Sequence, residues 1–232
     1  MELYNRLKKV QSWLRPQRCL ICQGAVPGEG DFCQGCAAGL PYSGPACPQC
    51  AAPYDLGTHA TVCGRCQTET PAYTASRALF RYSFPVDRLI QGLKYHGQLH
   101  HARVLGELLA AQLAERPAPD CILPVPLHPA RLRERGYNQS LELARVVART
   151  LEVKLDYRSL QRTRPTAPQT GLPLDERARN VREAFALAPG FSARRVAIVD
   201  DVMTSGYTVN AVAKCLRGAG VEEVEVWVVA RA

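Results

Sequence analysis

Apolar residues after position 75 recur in two rhythms, one belonging to strands and one to helices. Residues 75–84 read as a strand through Leu79, Phe80 and Tyr82. Residues 86–95 and 99–115 have helical spacing, carried by Leu89 and Leu93 and then by Leu105, Leu108, Leu109 and Leu113. Arg116-Pro117-Ala118-Pro119 ends the second of these, because proline removes a helical N–H. The short apolar run 121–125 suits a strand buried on both faces. Asn138 is placed to cap a helix that carries Leu141, Ala144, Val147 and Ala148 as far as residue 149. Residues 153–157 alternate like a strand, and 194–199 read as a second buried strand. A helix over 208–216 and a closing strand over 221–229 follow, with Gly218 and Gly220 at the turn between them. Strands alternating with helices predict an α/β fold: a mainly parallel sheet flanked by helices, with right-handed crossovers. In such sheets ligands bind beyond the C-terminal ends of the strands.

The front of the chain is built differently. Leu3, Leu7, Val10 and Leu14 form one helical stripe, with Tyr4 and Trp13 beside it. Arg6, Lys8, Lys9 and Arg15 interrupt any signal-peptide core. Residues 1–18 are therefore expected to form a short amphipathic helix that packs on the protein; a surface for a partner or an acidic membrane is the alternative. No apolar stretch is long enough to span a bilayer, since Glu225 breaks the best candidate, 224–230. With no export signal the expected location is the cytoplasm, where cysteine pairs bind metal more often than they form disulfides.

That expectation matters because the chain has ten cysteines. Eight stand in four C-x-x-C pairs: Cys19/Cys22, Cys33/Cys36, Cys47/Cys50 and Cys63/Cys66. One pair offers two thiolates to an ion from the same side, and a second pair closes the tetrahedron. Four pairs satisfy two four-cysteine zinc sites with no ligand left over, so both sites read as structural rather than catalytic. The intervening sequence, rich in Gly, Pro, Ala and Gln, lacks a core and needs such a staple. Sequential pairing (19/22/33/36, then 47/50/63/66) is expected, with an interleaved cross-brace as the alternative. Cys121 and Cys215 lie in apolar strand and helix patterns and read as core residues. The division expected is a helix over 1–18, a double zinc-ribbon module over 19–75 and an α/β domain over 76–232.

The most informative chemistry lies at Val196-Ala197-Ile198-Val199-Asp200-Asp201-Val202-Met203-Thr204-Ser205-Gly206-Tyr207-Thr208. A buried strand delivers two carboxylates and then a small hydroxyl-rich turn that opens a helix. The turn offers backbone N–H groups, the positive end of a helix and the hydroxyls of Thr204, Ser205 and Thr208, which suit a phosphate monoester. The carboxylates of Asp200 and Asp201 would repel that phosphate, but they suit sugar hydroxyls a few ångströms away. Together they ask for a 5-phosphoribosyl group.

This segment resembles the signature of the type I phosphoribosyltransferases, and the resemblance extends over residues 76–232. It implies that Asp200 and Asp201 hold the ribose hydroxyls of phosphoribosyl pyrophosphate. It also implies that Thr204, Ser205, Gly206, Tyr207 and Thr208 cradle the 5′-phosphate, with Mg2+ accompanying the pyrophosphate. Where the 6-oxopurine enzymes of that family carry an Asp, this chain has Thr204, which argues against hypoxanthine or guanine as substrate.

Two arginine-rich segments follow strands at the same sheet edge. Arg131 and Arg135 are four apart and share a helical face, and the planar fork of arginine suits diphosphate oxygens. Residues 162–172, with Arg162 and Arg164, have no periodicity and read as a mobile arm; Arg177, Arg179 and Arg182 come soon after. Lys94-Tyr95 is a weaker candidate, and the five histidines show no ligand spacing.

Taken in order, the four C-x-x-C pairs, Leu93-Lys94-Tyr95, Pro124-Val125-Pro126-Leu127-His128-Pro129, Arg135-Gly136-Tyr137-Asn138-Gln139, Arg162-Thr163-Arg164 and Val199-Asp200-Asp201-Val202 resemble the ComF (GntX) family of competence proteins. That resemblance implies handling of incoming single-stranded DNA during natural transformation, beside a helicase-like ATPase. A metabolic phosphoribosyltransferase of unknown acceptor, with the zinc module as a scaffold, is the alternative.

The net charge of +8 points to nucleic acid or phosphate only until it is divided. Residues 1–18 carry +4, 19–75 carry −3 and 76–232 carry +7. Each zinc on four thiolates would add about −2. The cysteine-rich module is thus acidic, and attraction for DNA or diphosphate is expected from the arginines of the α/β domain.

Overall fold

The structure, a computed structural model, describes residues 18–28, 30–54, 61–163 and 184–232. The predicted N-terminal helix and most of the predicted arginine arm, including Arg164, Arg177, Arg179 and Arg182, lie outside these residues. The chain divides into two compact units, Met1–Pro41 and Tyr42–Ala232.

Each unit holds one four-cysteine knuckle, and the two are built by the same device. In the first, Cys19 N–H donates to Gly24 O at 2.8 Å and Gln23 N–H returns to Cys19 O at 2.9 Å. Cys33 then caps the short helix α1 (Gln34–Ala38). In the second, Cys47 N–H donates to Ala52 O at 2.8 Å and Ala51 N–H to Cys47 O at 2.8 Å. Cys63 caps α2 (Gly64–Thr68). Gln23 and Ala51, each four residues after the first cysteine of its knuckle, have positive φ angles of 62° and 53°. A residue in the left-handed region turns the chain back so that both thiols face one point.

The α/β unit is organised around a four-stranded sheet, all of it parallel: β1 (Ala75–Arg81), β2 (Cys121–Pro124), β5 (Arg195–Met203) and β6 (Glu223–Arg231), in the order β1-β6-β5-β2. A separate antiparallel pair joins β3 (Leu160–Arg162) to β4 (Phe185–Leu187). β5 is covered on both edges and both faces, which is why Val196, Ala197, Ile198 and Val199 form an unbroken apolar run. Side chains alternate across a strand. Val196 and Ile198 therefore share one face with Val224, Val226 and Val228, and there Val209, Val212 and Leu216 of helix α7 (Tyr207–Gly218) cover them.

The helices α3 (Val86–Tyr95), α4 (His100–Leu113), α5 (Pro129–Arg135) and α6 (Gln139–Thr150) complete the layers. α4 and α6 pack against each other. A Cβ on Gly106 would fall 2.7 Å from Val146 Cβ, so this crossing has no room for a larger residue. Asn138 caps α6 as expected: its Oδ1 accepts from Ser140 N–H at 3.1 Å. Among the described residues, no helix is long and apolar enough to cross a membrane.

Three segments differ from the sequence expectation. The strand expected over 194–199 runs on to Met203, so Asp200 and Asp201 lie within it rather than after it: Asp200 pairs with Val228 of β6 and Val202 with Ala230. The alternating residues 153–157 pair with the sheet only at Leu155, opposite Ile122. Asp156 ends the run by accepting from the N–H groups of Arg158 and Ser159 at 3.0 Å each. The β3/β4 pair had no periodic signal, since each strand is only three residues long.

Candidate functional site

The C-terminal ends of β2, β5 and β6 gather the polar groups. Asp200 and Asp201 are carried to that edge by a central strand, which fixes their backbone. Asp200 Oδ1 accepts from Ser140 Oγ at 2.7 Å and from Asp201 N–H at 2.9 Å. Asp201 Oδ1 accepts from Val202 N–H at 2.6 Å and faces Lys94 Nζ at 3.0 Å. The Asp201 residue is 3% exposed. Burial pushes the Asp200 carboxyl up to about 7, and the Asp201 charge adds to this; Ser140 and Lys94 oppose it. Burial by itself would lower Lys94, but the charges of Asp201 and Asp200 outweigh it and hold the ammonium above its ordinary pKa. Asp201 Oδ2 is buried with no hydrogen-bond partner among the described residues. Such an oxygen is costly unless a donor meets it, and a sugar hydroxyl or a bound cation supplies what it needs.

The turn after β5 is shaped for an anion. Gly206 caps α7 with φ +81°, a conformation a side chain resists. Three successive carbonyls are held by guanidinium groups: Arg231 donates to Met203 O at 3.0 Å and to Thr204 O, and Arg65 donates to Ser205 O at 2.9 Å. In a planar trans peptide N–H and C=O point in opposite directions, so pinning these carbonyls turns the N–H groups of Thr204, Ser205 and Gly206 to the other side. Ser205 Oγ is buried and has no hydrogen-bond partner among the described residues. Asp200, Thr204, Ser205, Gly206, Tyr207 and Thr208 line one hollow. The arrangement can hold an anion at the turn and hydroxyl groups at the carboxylates, the two halves of a phosphorylated sugar.

The arginines surround this edge unequally. Arg135 donates to the buried Gln139 Oε1, and its guanidinium lies 5.5 Å from the ring of Tyr95, which is 66% exposed. Arg131 is half-buried on α5. Burial pulls the Arg162 guanidinium below its ordinary pKa, with the Asp200 charge opposing and the Arg131 charge adding to it, so Arg162 feels both charges. Tyr137 donates its hydroxyl to Leu93 O, and Asn138 Nδ2 donates to Val125 O at 3.0 Å, so the Lys94 helix is tied to the loop after β2. Ser140, Arg65 and Arg231 were absent from the sequence reading. Ser140 lies two residues after a recognised cap, but Arg65 acts on a residue 140 positions away, which no local pattern records.

The cysteines group as Cys19, Cys22, Cys33 and Cys36, and as Cys47, Cys50, Cys63 and Cys66, the ligand atoms of each set lying within 4.8 Å of one another. This is the sequential pairing. Zn–S bonds of about 2.3 Å in a tetrahedron place the sulfurs about 3.8 Å apart. Cys22 and Cys33 Sγ are 3.7 Å apart, and Cys50 and Cys63 Sγ 3.6 Å. Burial would raise the Cys19 thiol, but backbone N–H groups of Cys22, Cys33 and Ile21 outweigh it and bring it down to about 6. Cys47 is drawn to about 6 against its burial by the N–H groups of Cys63, Cys50 and Gln49. The neighbours are pushed the other way: the hydrogen bond with Cys33 and burial raise the Cys36 thiol to about 12, and burial raises Cys50 and Cys66. One thiolate per set is favoured without metal and a cation is needed to ionise the rest; the grouping of four sulfurs fits zinc with no open position. Cys121 is buried beside the sheet core, and Cys215 packs against it, its thiol facing Phe185 O at 3.7 Å.

A parallel sheet, an acidic strand end and an anion turn, preceded by four-cysteine knuckles, define an α/β protein of phosphoribosyltransferase type with an N-terminal zinc-ribbon module. Residues 10–67 match the double zinc ribbon domain family, and residues 138–232 match the phosphoribosyl transferase domain family. Competence protein F of Haemophilus influenzae is 36% identical over 225 residues, which cover 93% of this chain and 97% of that protein. DNA utilization protein YhgH of Escherichia coli K12 is 34% identical over 224 residues, with 93% and 97% coverage. Competence protein ComFC of Streptococcus pneumoniae is 24% identical over 174 residues, 74% of this chain and 76% of that one. The chain belongs to the ComF family of competence proteins.

Proposed function

We propose that this protein binds phosphoribosyl pyrophosphate at the β5 edge and takes part in handling single-stranded DNA that enters the cell. The observation that carries the first half is the pairing of Asp200 with the buried Asp201 beside a turn whose carbonyls are pinned away from its anion face. Asp200 and Asp201 accept from the ribose hydroxyls, the Thr204–Thr208 turn holds the 5′-phosphate, and Arg131, Arg135 and Lys94 balance the pyrophosphate charge. Mg2+, when bound, neutralises the diphosphate. The unpartnered Asp201 Oδ2 supports an acceptor role for that residue.

The DNA half rests on the names of relatives concerned with competence and DNA utilization. It is supported by the exposed Tyr95 with Arg135 over its ring, and by the exposed Leu132 and Arg133 on the same helix as Arg135. An aromatic platform set among arginines suits unpaired bases and their phosphates. A helicase-like ATPase as partner, a cytoplasmic location and the division at 18/19 and 75/76 belong to the same proposal.

Competition separates the parts. Ribose 5-phosphate is expected to displace phosphoribosyl pyrophosphate, while ribose is not; displacement by inorganic pyrophosphate alone would refute the phosphate assignment of the turn. A screen for pyrophosphate release over bases, amines and DNA then tests turnover: release with a small base favours a metabolic transferase over a DNA-handling protein.

A further inference from the structure

The second four-cysteine knuckle, Cys47, Cys50, Cys63 and Cys66, belongs to the same compact unit as the phosphate turn and touches it. Arg65 stands between two of its ligands, Cys63 and Cys66, on the five-residue helix α2. Its guanidinium donates to Ser205 O at 2.9 Å and lies 5.7 Å from the centre of the Tyr207 ring. A second guanidinium makes the reverse bridge: Arg231, at the end of β6, donates to Cys50 O at 3.1 Å and to Met203 O at 3.0 Å. The buried Tyr73 lines the hollow between them, and a Cβ on Gly206 would come within 3.5 Å of its hydroxyl.

We infer that Arg65 is a positioning residue for the phosphate turn, and that it couples metal at the second knuckle to affinity for the phosphate ester. This rests on the reading of the turn as a phosphate site. A five-residue helix has no stability of its own, so α2 is held by the ligands at its start and middle. Metal at Cys63 and Cys66 fixes the backbone on either side of Arg65. Arg65 in turn fixes the Ser205 carbonyl and, through the peptide plane, the Gly206 N–H that faces the phosphate. The Arg65 charge also lies close to the turn, where it favours an anion. The first knuckle, Cys19, Cys22, Cys33 and Cys36, carries no arginine between its last two ligands, where Gln34 and Gly35 stand. The linkage therefore belongs to the second metal alone. Coupling of this kind is reciprocal: if metal strengthens phosphate binding, phosphate strengthens metal retention by the same factor.

The test uses the full zinc-loaded chain, with Arg65→Ala and Arg65→Lys. Native mass spectrometry counts the zinc, calorimetry with phosphoribosyl pyrophosphate and Mg2+ gives affinity, and a chromogenic chelator follows zinc release with and without that ligand. Arg65→Ala should keep two zinc ions and bind about tenfold more weakly, the loss of one charge-assisted hydrogen bond. Arg65→Lys should recover part of the loss. In the wild type the ligand should slow release of one of the two zinc ions, and in Arg65→Ala it should slow neither. Wild-type affinity in a zinc-loaded Arg65→Ala protein, or zinc release in the wild type that ignores the ligand, overturns the inference. Should Arg65→Ala lose a metal, Arg65→Lys and the wild-type release rates decide. No binding by the wild type removes the phosphate reading itself, whereas wild-type binding with an unchanged variant removes only the role of Arg65.

Discussion

Replacing Asp200 by Asn should make the protein more stable, and increasingly so as pH rises. The folded protein pushes this carboxyl from an ordinary 3.8 to about 7, through burial and the neighbouring Asp201 charge. Below 3.8 the group is protonated in both states and costs nothing. Between 3.8 and about 7 the unfolded chain gives up its proton while the folded one keeps it, so stability falls by about 1.36 kcal/mol per pH unit. Above about 7 both are ionised and the loss levels off. Asparagine keeps an oxygen for Ser140 Oγ and Asp201 N–H. It removes the titration. Between about pH 5.5 and about pH 8, with zinc content checked at both ends because protons compete for the thiolates, the folded group crosses about 1.5 pH units before levelling. The advantage of Asp200→Asn should therefore grow by about 2 kcal/mol as a ceiling, because the side chain retains some water contact. Urea unfolding followed by circular dichroism at both pH values measures it, read as the difference in midpoint at constant slope. A difference between variant and wild type that is the same at both pH values refutes the argument. The variant should also lose ligand, which makes Asp200 a case of stability given up for binding.

Gly206→Ala should cost about 1–2 kcal/mol, because its φ of +81° puts a Cβ in the disfavoured left-handed region; chemical denaturation with zinc retained checks it, and an unchanged midpoint would show that the turn relaxes freely. Cys63→Ser should leave one zinc instead of two by native mass spectrometry and lower the urea midpoint, since metal binding supplies folding free energy; two retained ions would rule out the four-cysteine grouping. If single-stranded DNA binds, Arg131→Ala should weaken it uniformly across sequences and make the plot of log affinity against log salt shallower by about one unit. An unchanged slope places the nucleic-acid surface elsewhere.

Much of this architecture is written in local patterns. The runs 121–125 and 194–199 are apolar because they become strands covered on both faces, and Leu89 and Leu93 lie on the buried side of α3. The four C-x-x-C pairs announce two metal sites because each ligand needs its partner three residues away. The signal fails where structure depends on distant partners. β3 and β4 are three residues each and are joined only through a long intervening segment. The left-handed Gln23 and Ala51 are invisible because glycine, the usual marker of positive φ, is absent there. Asp200 and Asp201 were legible as a pair, since two carboxylates after an apolar strand are unusual. That they lie inside the strand follows from pairing with β6, which no residue of β5 records. Arg65 and Arg231 look like ordinary surface cations in sequence; only the fold brings them to the carbonyls of residues 203–205.

The central claim is that the acidic strand end and its turn hold phosphoribosyl pyrophosphate. Calorimetric titration of the wild type and of the double variant Asp200→Asn, Asp201→Asn, with Mg2+ present, tests it most directly. The wild type should give a one-site isotherm, and the double variant should lose binding while it remains folded and carries two zinc ions. An isotherm in the double variant that matches the wild type contradicts the claim.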